Sequence, residues 1–194
     1  VGNQRGEASA LGRLGILNME QGRMGEARQH YECALTICRE LGNGPGEGRI
    51  LGYLGGIHSV EGRMDEARRH FERALVIHRE CGDRRSQGID LGNLGDLAYG
   101  EGDLPSAARH LEQAIGICDE VIPAAAGAFR GSLSLICGRQ GDITKARELL
   151  AKGEAALRDV NTLELAKLLC KRAKIEHLAG DPAESEGAIA EAES

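Results

Sequence analysis

The chain has 194 residues, 41% hydrophobic and 28% charged, with a net charge of −6, which fits one ordinary globular domain and excludes wholesale disorder. Glycine reaches 28 residues while proline contributes 4 and aromatics 3%. Collagen would need glycine at every third position, so fixed structural slots in a repeat are the reading that is left.

The acidic balance offers no basic face for counterion release, so direct nucleic-acid binding is not expected. Arg68, Arg69, Arg84 and Arg85 interleave with Glu66, Glu72, Glu80 and Asp83, as on a solvated helix face. The longest stretch without a charged residue, 50–60, is eleven residues, short of the roughly 20 that a spanning helix needs. No membrane partner is expected. The N-terminus shows neither an apolar leader nor an initiator methionine, and the alanine-rich last helix lacks a polar capping partner. We therefore expect a cytoplasmic fragment of a longer regulatory or signalling protein. The six cysteines, at 33, 38, 81, 118, 137 and 170, form no Cys-x-x-Cys pair. They are read as reduced and structural, with no metal and no cofactor.

Taken in chain order, the sequence repeats at a 40-residue offset. Residues 11–40 and 51–80 agree at seventeen of thirty positions, and 91–120 agree with 51–80 at thirteen of thirty. A looser fourth copy carries Leu133, Gly141, Ala146 and Leu150 in the marked slots, and a weaker fifth carries Gly180 and Ile189. Each block holds two stretches of helical periodicity, such as Leu51, Leu54, Ile57 and His58, then Ala67, Phe71, Ala74, Leu75 and His78. Between them stands Gly22, Gly62, Gly102, Gly141 or Gly180, the left-handed cap that ends a helix without a Cβ penalty. Asp103 before Pro105, and Asp181 before Pro182, supply N-cap chemistry for the helix that follows. Each block is thus a hairpin of helix A and helix B. The predicted helices are 5–20, 24–40, 47–60, 64–80, 86–99, 104–119, 124–138, 143–158, 162–178 and 182–192.

Glycines inside helix A fall in two rows. Gly15, Gly55 and Gly95 are expected to face the small Ala27, Ala67 and Ala107 of helix B and allow close approach. Gly12, Gly52, Gly92 and Gly131 form a second row, read either as a groove floor kept clear of side chains or as weak selection for size.

The spacing Leu-x-x-Leu-Gly, then Gly, then Ala-x-x-x-Tyr/Phe-x-x-Ala-Leu resembles the tetratricopeptide repeat over 5–193, in the long variety found in kinesin light chain and many bacterial regulators. The resemblance implies an all-α fold, a right-handed α-solenoid of about five hairpins. The repeats would lie at about 5–42, 45–82, 85–121, 124–159 and 162–193. The family's Trp slot holds Leu11, Leu51, Leu91, Arg130 and Leu169, and its helix-A Tyr slot holds Asn18, His58, Ala98, Cys137 and Glu176. Those replacements account for the scarce aromatics.

By motif position, helix A would line a concave groove. The candidate peptide-binding residues are Arg13, Arg49, Tyr53, Asn93, Asp96 and Tyr99 in the first three repeats, with Ser132, Arg139, Lys171 and Lys174 in the last two. Arginine grips carboxylates and tyrosine gives rigid amphipathic contact area. The family's Asn ladder is absent, since the slot of Asn93 otherwise holds Arg13, Tyr53 and Ser132. The lysine of its carboxylate clamp is replaced by Gly92 and Gly131. His30, His70 and His110 recur one repeat apart. Stacked helices about 10 Å apart cannot bring them to one zinc ion. No nucleotide, hydrolase or metalloprotease motif is present. The expected function is non-enzymatic: a scaffold for a protein or peptide partner, with a self-association module and homodimer as the alternative.

Overall fold

In the computed structural model, which describes residues 3–193, ten α-helices follow one another without a strand. They are α1 (Gln4–Glu20), α2 (Met24–Glu40), α3 (Gly44–Val60), α4 (Met64–Glu80), α5 (Arg84–Glu101), α6 (Leu104–Val121), α7 (Pro123–Arg139), α8 (Ile143–Leu157), α9 (Thr162–Ala179) and α10 (Pro182–Glu193). The all-α hairpin class expected from the periodicity is the observed one. α1 packs on α2, α3 on α4, α7 on α8 and α9 on α10. The chain divides into two compact units, Val1–Asn93 and Leu94–Ser194.

A single turn chemistry joins the two helices of each hairpin. Gly22, Gly62, Gly102, Gly141 and Gly180 all have φ between 74° and 83°, where a Cβ would be strained. The residue after the glycine donates its N–H back into the last helical turn, as Arg23 does to the Asn18 carbonyl (2.8 Å) and Arg63 to His58 (2.9 Å). Gly42 and Gly82, between hairpins rather than within them, have the same conformation at 62° and 69°. The side chains of Asn43 and Asp83 then cap the next helix by accepting from the Gly46 and Ser86 N–H groups. These caps start α3 and α5 two to three residues earlier than the periodicity predicts, because apolar spacing is silent about a Gly-Pro-Gly first turn. Asp103 and Asp181 cap as expected.

In the first unit, Ala27, Tyr31, Ala34, Leu51, Leu54 and Ile57 form the centre of the core. In the second, Cys137, Ala146, Leu150, Leu157, Leu168 and Ile175 do so.

The interior glycines have a different partner from the expected alanines. A Cβ on Gly55 would lie 2.7–3.0 Å from the ring of Phe71, and one on Gly95 would lie 2.7 Å from Leu111 Cγ. Gly15 stands in the same way under the Tyr31 ring. Helix B therefore lays its large residue flat on the glycine, four positions beyond the alanine. The second row faces the next helix A: Gly12 approaches Ile50, Gly52 approaches Asp90 and Gly131 approaches Lys171.

The histidines at the repeat period are not equivalent. His70 stacks on His58 of the same hairpin, with centroids 4.9 Å apart and planes within 3°. Burial pushes both below the usual histidine value of 6.5. For His70, His58, Arg69, Arg39 and Arg63 add to it. For His58, Arg63 and Arg28 add while Glu61 and Glu66 oppose.

Gly55→Ala overpacks against a buried ring and should lose about 1–3 kcal/mol in chemical denaturation. Gly56→Ala, in open space on the same helix, should gain about 0.5–1 kcal/mol. A histidine whose folded-state pKa is depressed stabilises fully above pH 6.5 and loses that stabilisation as pH falls through the folded-state value. The melting temperature should fall between pH 7 and pH 5, and His70→Gln should flatten that fall.

Candidate functional site

The helix-A face of the first unit is built from rows at four-residue spacing, about 6 Å of helix rise. α1 presents Arg5, Ser9 and Arg13; α3 presents Arg49 and Tyr53; the start of α5 presents Arg85, Ile89 and Asn93. Between α1 and α3 lies a recess of about 280 Å³ bordered by Arg5, Arg13, Ile16, Arg49 and Tyr53, with Cys38 in its wall. Between α3 and α5 lies a second, of about 410 Å³, bordered by Arg49, Tyr53, Arg85, Ile89 and Asn93. Arg49 and Tyr53 belong to both. Tyr53 is held by stacking on Tyr31, with centroids 5.1 Å apart and planes 19° apart, and Tyr31 in turn lies on Gly15. Thus four sequence-predicted residues, Arg13, Arg49, Tyr53 and Asn93, come together here.

A buried hydrogen-bonded pair forms the wall of the second recess. His78 Nδ1 and Asp90 Oδ2 are 2.6 Å apart, and their side chains are 2% and 4% exposed. Gln87 donates to the His78 carbonyl (3.1 Å), and the other ring nitrogen points at Gly48 without a hydrogen-bond partner. Burial pushes the Asp90 carboxyl up, and the hydrogen bond and charge of His78 pull it back. Sequence reading treats His78 as part of an apolar stripe and passes over Asp90. The signal is in the repeat: the slots hold Cys38 and Cys118 against His78, and Ile50 against Asp90. Two polar substitutions in the apolar slots of neighbouring helices, α4 and α5, point to a pair.

The second unit arranges its predicted residues differently. Lys171 Nζ donates to Ser132 Oγ at 3.0 Å, and Ser132 also hydrogen-bonds the Asp96 carboxylate. α5, α7 and α9 are thereby linked by one polar chain. Loss of hydration raises the Asp96 carboxyl and lowers the Lys171 ammonium, and each charge opposes the shift of the other. The Arg139 guanidinium lies 4.6 Å from the Tyr99 ring centroid. Lys174 stands apart, beside a recess between α9 and α10 lined by Cys170, Ala173, His177, Leu178 and Ile189. Among the described residues no cluster of His, Cys, Asp and Glu is disposed to hold a metal, and no helix is long and apolar enough to cross a membrane.

Removing the Asp90 carboxylate strands the Nδ1 of a buried imidazole. Asp90→Ala should cost about 3 kcal/mol in chemical denaturation. Asp83→Ala, which removes only a helix cap, should cost about 1 kcal/mol.

With this geometry in hand, the chain can be set beside known proteins. BtubC (BKLC) from P. vanneervenii superposes with a TM-score of 0.76 at 18% identity, over 94% of this chain and 77% of that one. A putative kinesin light chain of TPR-like repeats from Podosopora anserina gives 0.72 at 17%, over 95% and 92%. Aspartyl phosphate phosphatase F from Bacillus subtilis gives 0.79 at 13%, over all of this chain and 60% of its own. A Rap protein complexed with competence and sporulation factor gives 0.73 at 15%, over 97% and 55%. At such identities these likenesses establish a shared TPR-like solenoid fold. No curated protein matches in sequence. The family described as the MalT-like TPR region matches residues 3–193, and the chain belongs to that family.

Proposed function

We propose that the protein is a non-catalytic interaction scaffold that holds an extended or helical segment of a partner protein against the helix-A face, as part of a larger cytoplasmic regulatory protein. The observation that carries this reading is the pair of adjoining recesses sharing Arg49 and Tyr53. Their lining combines arginine forks, a stacked tyrosine and the Asn93 amide, with apolar floor from Ile16 and Ile89, the mixture that recognises a polypeptide backbone and its side chains together. The solved Rap neighbour is itself complexed with competence and sporulation factor, which supports a protein or peptide as the ligand class.

A second reading, self-association, has its own support. Leu178 is 57% and Ile189 45% exposed beside the α9–α10 recess, an apolar patch that a second copy would cover.

Selection from a random-peptide library on the whole chain separates these readings. Peptides recovered should lose at least tenfold in affinity on the Asn93→Ala, Ile89→Ala variant, with its melting temperature unchanged. Recovered peptides that bind the variant as well as the parent would remove the helix-A face as the site. Under self-association, the mass by light scattering should double across a concentration series, and Leu178→Glu should abolish the doubling.

A further inference from the structure

The charges of the first unit are distributed in a way its composition conceals. Residues 1–93 contain thirteen arginines, no lysine and thirteen carboxylates, so they sum to zero, and the whole net charge of −6 falls on 94–194. Within that neutral half the two signs are separated. Away from the recesses arginine and carboxylate pair: Arg28 and Arg63 meet Glu61, Arg39 meets Glu47, and Arg23 meets Glu26. Around the two recesses they do not. Arg5, Arg13, Arg49 and Arg85 are exposed, and none makes an ion pair with another described residue. The single carboxylate in either lining is Asp90, which is buried against His78. The arginines therefore border the recesses without a carboxylate paired to any of them, an arrangement that an anionic ligand would favour. In the second unit the corresponding cations are occupied, Lys171 by Ser132 and Arg139 by Tyr99.

Resting on the peptide-binding reading above, the geometry points to an acidic partner segment. We propose that the first unit selects an extended peptide carrying carboxylates at about every third residue, laid across α1, α3 and α5. The spacing comes from elementary dimensions. Neighbouring helices stand about 8–10 Å apart and an extended chain advances about 3.3 Å per residue. A strand crossing from the Arg5 and Arg13 row to Arg49 and on to Arg85 thus meets a new guanidinium every third residue. Arginine at all four positions suits this ligand, since its planar fork takes a carboxylate through two parallel hydrogen bonds and loses less freedom than lysine in doing so. Asn93 and Tyr53 are left for the peptide backbone and for apolar contact between the charges.

The test uses fluorescence anisotropy with the full chain and two labelled twelve-residue peptides. One has glutamate at every third position in a serine and alanine background, and the other has glutamine there. The acidic peptide should bind at least tenfold more tightly, and should weaken at least tenfold between 50 mM and 500 mM salt. Arg13→Gln, Arg49→Gln and Arg85→Gln should each reduce its affinity several-fold, and the triple variant should abolish the preference over the glutamine peptide. Arg69→Gln, on the outer face of α4, should change nothing. Melting curves on every variant confirm that the fold persists. Equal binding of both peptides, still sensitive to Asn93→Ala, would overturn the acidic selection while leaving the peptide-binding surface intact. Acidic-peptide binding indifferent to the three arginines would place the site elsewhere, and binding of neither peptide would remove the proposal. A single-stranded oligonucleotide that binds more tightly than the acidic peptide with the same arginine dependence would also overturn it, by assigning the arginines to phosphates.

Discussion

One contact sets the geometry on which everything else rests: a large helix-B residue laid flat on a glycine of helix A. Tyr31 on Gly15, Phe71 on Gly55 and Leu111 on Gly95 leave no room for a Cβ. The hairpin closes to the distance that the bare helix backbone allows, and dispersion contacts over a whole ring offset the poor helix propensity of glycine. The same closeness fixes how helix A is rotated about its axis. With Gly15 turned to helix B and Gly12 turned to the next helix A, the residues between and beyond them, Ser9, Arg13 and Ile16, are left facing the recess. The functional face is what remains after two glycine contacts have claimed the other sides.

Upon that frame the repeats diverge by substitution in equivalent slots. Position 31 and its equivalents keep a large side chain (Tyr31, Phe71, Leu111), yet the slots of His78 and Asp90 change from apolar to ionisable, and they do so together. A lone histidine or carboxylate there would be a buried orphan, which the low dielectric of the interior makes costly. The stacked His58 and His70 pair shows a related rule, since loss of hydration and the other imidazole both hold the pKa of His70 below the usual value. His78 and Asp90 thus stand where other repeats carry cysteine or isoleucine.

Charge follows a similar division of labour. Pairing on the outer faces neutralises arginines where they serve solubility, and the polar chain of Asp96, Ser132 and Lys171 ties three helices of the second unit together. The arginines around the first two recesses stand outside both schemes. A protein of net negative charge thereby keeps a local concentration of positive potential, focused by concave walls rather than by excess lysine.

Much of this was legible in the amino-acid order alone. The 40-residue period, the hairpin in each period, the glycine turns and several of the helix-A residues at the recesses follow from periodicities of 3.6 and 40, because one spacing rule applied many times leaves few alternatives. Arg13, Arg49, Tyr53 and Asn93 were found that way. What spacing could not supply was the partner of each residue. It matched Gly55 with Ala67 rather than Phe71, grouped Lys174 with Lys171 when the former lies beside the α9–α10 recess, and passed over Arg5, Arg85 and the His78–Asp90 pair. Helical periodicity specifies a direction around an axis, but contact depends on the distance and crossing of two axes, and those are settled only when side-chain volumes interlock in three dimensions. Composition likewise determined that the chain as a whole is acidic, and only the folded structure decided that its arginines and carboxylates would be segregated, since that depends on which faces the packing leaves open.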